Sequence, residues 1–66
     1  MQLKINGEVR SVEKIATVSE LLAELGLDPT RTVVEKNGEI VARDSFAVSQ
    51  LCEGDALELV RFVGGG

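Results

Sequence analysis

The sequence predicts an α+β domain in two layers, with one main helix packed on a sheet of four to five strands. Short period-two apolar runs lie near both ends of the chain, and a single apolar stripe at helical spacing lies between them. Two Asn-Gly pairs each separate a pair of strand-like segments. One helix covers only one face of a sheet, so the other face is left to solvent or to a partner. A length of 66 residues makes one domain. At this size only about 60% of the unfolded surface is buried, so the core must be compact.

Leu3 and Ile5 alternate with Gln2 and Lys4, the period of a half-buried strand. Asn6-Gly7 follows, and both residues tolerate the positive φ of a tight hairpin. The return strand runs from Glu8 to Val12, with Val9 the expected inward residue beside the turn. Val9 and Val12 do not share a strand face, which leaves the register further along open. Val18, Leu21, Leu22 and Leu25 fall at i, i+3, i+4 and i+7 and make one helix face. Thr17, three residues before Glu20, predicts a reciprocal capping box, with Ala16 and Leu21 as a weak staple. Gly26 is the expected stop, because it takes a left-handed φ without Cβ strain. Pro29 blocks resumption of the helix.

Thr32 to Lys36 is a β-branched strand, Asn37-Gly38 repeats the hairpin signal, and Glu39 to Ala42 pairs back carrying Ile40 and Val41. Arg43 to Leu51 mixes turn formers with Phe46, Val48 and Leu51, and reads as an irregular crossover with room for one helical turn. Glu53-Gly54-Asp55 is a further turn. Ala56 to Phe62 is the last strand, with Leu57 and Leu59 facing the helix and Glu58, Val60 and Phe62 facing away. The expected core is Leu3, Ile5, Val18, Leu21, Leu22, Leu25, Leu57 and Leu59.

Histidine is absent, which removes the commonest general base and metal ligand near neutral pH. One cysteine, Cys52, makes neither an internal disulfide nor a Cys-rich zinc site. It is expected as a small, partly buried residue beside Leu51 rather than as a persulfide relay. Glu20 is read as a cap and Asp55 as a turn residue, and no carboxylate pair is spaced for metal binding or acid–base work. Seven basic residues against eleven acidic ones leave a net charge of −4. That surface repels a phosphate backbone and an anionic membrane, and suits a positively charged protein partner. Apolar residues are spread along the chain with no membrane-length run. Met1 to Asn6 holds no apolar signal core, so a cytoplasmic location is expected. A binding or carrier domain fits this inventory better than a self-contained enzyme.

The most informative segment is Val63-Gly64-Gly65-Gly66, read as a flexible glycine tail (63–66) on a folded domain (1–62). Four extended residues reach about 13 Å. Glycine loses the most conformational freedom on ordering, and its bare backbone passes through a narrow channel. The exposed pair Val60 and Phe62 beside such a tail reads as a surface that docks a partner and delivers the tail.

The chain resembles the ubiquitin-like β-grasp sulfur carriers, and among them the ThiS-type carriers of thiamine biosynthesis. The resemblance is carried by Asn6-Gly7-Glu8, by Thr17-Val18-Ser19-Glu20-Leu21-Leu22, by Val33 to Val41, and by Gly54 to Gly66. Ala42 departs from the proline frequent in that family, and Phe46 from its frequent tryptophan; both lie in the crossover. The resemblance implies a mixed sheet in the β-grasp order. It implies that an E1-like, ThiF-like enzyme, using ATP and Mg²⁺, adenylates the carboxylate of Gly66, and that sulfur then converts it to a thiocarboxylate. Gly64 and Gly65 would thread the enzyme's channel, and Val60, Phe62 and Val63 would contact partners. A ThiG-like thiazole synthase would receive the sulfur and a separate enzyme would donate it, while the carrier binds no permanent cofactor. Three alternatives stay open at this point. A carrier like the small subunit of molybdopterin synthase would send sulfur to a dithiolene. A ubiquitin-like modifier would form an isopeptide bond at Gly66, and a non-covalent binding module would not need the tail.

Overall fold

A computed structural model of the chain describes residues 1–62. The period-two segments become β1 (Gln2–Ile5), β2 (Glu8–Ser11), β3 (Thr32–Lys36), β4 (Glu39–Val41) and β5 (Ala56–Arg61), and the apolar stripe becomes α1 (Val18–Glu24). The strands form one sheet in the order β2-β1-β5-β3-β4. β1 and β5 run parallel, whereas β1–β2, β3–β4 and β3–β5 are antiparallel, so the sheet is mixed as the resemblance implies. The strand made last in sequence thus occupies the centre.

α1 is fixed at both ends by local chemistry. The Thr17 hydroxyl accepts from the Glu20 N–H at 3.2 Å, and the Glu20 carboxylate accepts from the N–H groups of Thr17 (3.2 Å) and Ala16 (2.6 Å). These bonds satisfy donors that a helix start leaves orphaned. At the other end Gly26 sits at φ +71°. Its N–H reaches the Ala23 carbonyl at 3.1 Å, and the Leu27 N–H reaches that of Leu22 at 2.9 Å, the two bonds of a Schellman stop. Pro29, expected only to block resumption of the helix, also opens a 3₁₀ turn, Pro29–Arg31, because its fixed φ suits a first helical position.

Leu3, Ile5, Val18, Leu21, Leu22 and Leu57 are buried as expected, while Leu25 and Leu59 are only half-buried. Ile15, Val34, Phe46 and Leu51 complete the core. Val9 corrects the sequence reading, being 66% exposed. It pairs with Lys4, and residues directly opposite on antiparallel strands share a face, so Val9 points away from α1. Val12 instead packs partly against the core. The crossover carries its helical turn at Arg43–Ser45, with Phe46 turned inward and Val48 outward.

Candidate functional site

The site is built on the C-terminal end of β5. Beyond the strand, the Phe62 N–H still donates to the Arg31 carbonyl at 2.8 Å, which carries the β3 pairing to the last described residue. On the other flank β1 stops at Ile5, and the chain turns back at Asn6 (φ +50°) and Gly7 (φ +85°). The Asn6 side chain then stands in for the missing strand. Its Oδ1 accepts from the Leu59 N–H at 2.8 Å, and its Nδ2 donates to the Leu59 carbonyl at 3.3 Å. Asn37 does related work at the start of β5. Its Oδ1 accepts from the Ala56 N–H at 2.9 Å, while its Nδ2 donates to Asp55 Oδ1 at 2.9 Å. Neither role was visible in the sequence, where Asn-Gly signals only a turn.

The sheet face away from α1 carries the predicted docking residues. Val60 is 56% and Phe62 50% exposed, on one side of β5. Val33 lies opposite Val60 and is half-buried, so these three make an apolar strip at the end of the central strands. One row back, Glu35 lies opposite Glu58, and Ile40 (71% exposed) lies opposite Glu35. Like charges directly opposite repel, so this face presents apolar area beside negative potential. Val63, Gly64, Gly65 and Gly66, which carry the predicted chemistry and threading, lie outside the described residues.

Asp55 closes the turn before β5. Burial opposes its ionisation, but donation from Asn37 and from the Cys52 N–H, together with the Lys36 charge, outweighs burial and holds its carboxyl below the ordinary value. Asp28 is held low chiefly by the Thr30 hydroxyl and N–H, which both donate to Oδ1. Cys52 corrects the expectation of partial burial: it is exposed. It lies between the buried Leu51 and the turn at Glu53-Gly54, where its backbone N–H donates to Asp55 Oδ2 at 2.8 Å. Among the described residues no three His, Cys, Asp or Glu side chains group as a metal site. None of the helices there is long and apolar enough to cross a membrane.

The chain is similar to a defined set of proteins. The model of the ThiS family matches residues 3–66. The sulfur carrier protein ThiS of Bacillus subtilis (strain 168) is 37% identical over 65 residues, covering 97% of this chain and 98% of that protein. A thiazole synthase of Paramagnetospirillum magneticum is 48% identical over 66 residues, all of this chain but 20% of that protein. A thiazole synthase of Magnetococcus marinus is 38% identical with the same coverage. The chain therefore spans about a fifth of the length of these two curated relatives. The crystal structure of the thiamine biosynthesis protein ThiS from Geobacter metallireducens matches all of this chain and all of that one, with a TM-score of 0.85 at 36% identity. The mixed sheet over one helix is thus the ubiquitin-like β-grasp. Matched from residue 3 to residue 66 by the family model, and along nearly its whole length by a carrier of similar size, the chain belongs to the ThiS family.

Proposed function

We propose that this chain is a sulfur carrier for thiazole formation in thiamine biosynthesis, with its reactive group at the carboxylate of Gly66. The observation that carries the reading is the end-to-end likeness to the Bacillus sulfur carrier. A carboxylate is a poor acyl donor because its leaving group would be oxide. Its oxygen attacks the α-phosphorus of ATP, forming an acyl-adenylate and expelling pyrophosphate. A sulfide-level nucleophile then attacks the acyl carbon, AMP departs with its electron pair, and a thiocarboxylate remains. ATP, Mg²⁺ and the catalytic groups belong to an E1-like, ThiF-like partner, and this chain is its co-substrate. The two thiazole synthases that contain a region like this chain support a ThiG-like acceptor.

The parts of the chain divide accordingly. The pinned end of β5 leads towards the tail, and Val60, Phe62 and Val63 contact the partner. Gly64 and Gly65 thread its channel, where a Cβ would strike the wall. Gly65→Val is expected to abolish adenylation, read by pyrophosphate release, with an unchanged thermal midpoint. The decisive experiment is intact-protein mass spectrometry after incubation with ATP, Mg²⁺, a cognate activating enzyme and a sulfur source. One oxygen-to-sulfur exchange localised to a terminal Gly66 is expected. No exchange with a demonstrably active enzyme and an intact Gly66 terminus would overturn the reading.

A further inference from the structure

We infer that a second protein-binding groove, on the α1 side of the sheet, takes an extended partner segment with apolar side chains between two carboxylates. Its floor is Ile5, Leu25, Leu27 and Leu59, and Arg10 and Arg61 line it as well. The volume is about 410 Å³, and the groove is open to solvent. Three of the four floor residues are half-buried, so apolar area stays in contact with water.

Charge selects the occupant. The chain has eleven acidic residues against seven basic ones, yet the groove is lined by two arginines and by no carboxylate. Arg43 is tied down, donating to the Thr30 carbonyl at 3.1 Å, whereas neither Arg10 nor Arg61 donates a side-chain hydrogen bond among the described residues. The guanidinium fork pairs carboxylates with two parallel bonds. Glu24 lines the continuation of the groove past Arg10, so the Arg61 end is the more strongly anion-selective.

Register sets the length. Arg10 lies opposite Leu3, and Leu57 lies opposite Ile5. Two steps separate Leu3 from Ile5 and four separate Leu57 from Arg61, so the two arginine backbones stand about 20 Å apart along the strands. Both side chains line the one groove, and an extended segment laid along the strands passes the two in turn. The groove lies across the sheet from Val60 and Phe62, so its occupant and the partner proposed for that face can bind together.

The probe is a blocked six-residue peptide with glutamate at each end and alternating valine and leucine between, titrated into ¹⁵N-labelled protein. Its control carries lysine at both ends. Amide shifts are expected at Ile5, Arg10, Leu25, Leu27, Leu59 and Arg61 with the glutamate peptide alone. The double variant Arg10→Glu/Arg61→Glu is expected to bind it about tenfold more weakly, the effect of losing two exposed ion pairs, and to gain affinity for the lysine peptide. Arg10→Gln and Arg61→Gln, each with a smaller loss, keep the test should the double variant misfold. Equal binding of both peptides, shifts confined to the Val60 and Phe62 face, or no shift with either peptide would overturn the proposal.

Discussion

The two Asn-Gly hairpins are almost superimposable as turns and different as fasteners. Asn6 and Asn37 have φ of 50° and 53°, and Gly7 and Gly38 have φ of 85° and 86°. Both asparagines reach sideways to β5. Asn6 spends both polar atoms on the Leu59 backbone, replacing a strand that has ended. Asn37 divides its atoms between the Ala56 N–H and the Asp55 carboxylate, at a point where β3 is already paired with β5. A turn sequence thus reports the local backbone, while the energetic role of its side chain depends on what the sheet brings alongside.

Removing the fasteners separates the two effects. Asn6→Ala loses both bonds to Leu59 and puts alanine, without the polar side chain that lets asparagine tolerate it, into left-handed backbone; it is expected to cost about 3 kcal/mol in urea unfolding. Asn6→Gly keeps the turn and loses only the bonds, for about 2 kcal/mol. Asn37→Gly is expected to cost about 1 kcal/mol, since it orphans one backbone N–H and a carboxylate that can turn to water. Equal losses at the two glycine variants would break the comparison. Thr17→Ala supplies a reference remote from both turns, at roughly 1 kcal/mol through the lost cap.

Acid sharpens the contrast at the smallest scale. Asp28 and Asp55 both have folded values held below the ordinary aspartate value. Each therefore contributes stability that is present above the unfolded value and is lost as pH falls through the folded value. Asn37→Gly removes one of the interactions that hold Asp55 low, so its acid-side loss between neutral pH and pH ~3 should be shallower than in the parent. Asn6→Gly should leave that slope unchanged. Unfolding midpoints measured across this range distinguish the two.

What could be read from the sequence follows the range of the interactions. α1 was legible because Thr17, Glu20 and Gly26 act within a few residues of the bonds they make. The outward set of Val60 and Phe62 was legible because alternation along β5 needs only one strand. Val9 was not, since its face is decided by its register against Lys4. Phe46 and Leu51 sit in irregular backbone with no period to betray burial. The Asn6 bonds to Leu59 and the groove between Arg10 and Arg61 join residues from opposite ends of the chain, and only the sheet order brings them together.

Placing β5 at the centre also dictates when the domain can exist. In chain order β1, β2, α1, β3 and β4 all precede the strand that joins β1 to β3. Pairing Ile5 with Leu57 closes a loop of nearly the whole domain, a slow, entropically costly step. Until that pairing forms, the edges of β1 and β3 that flank β5 have no partner within the sheet.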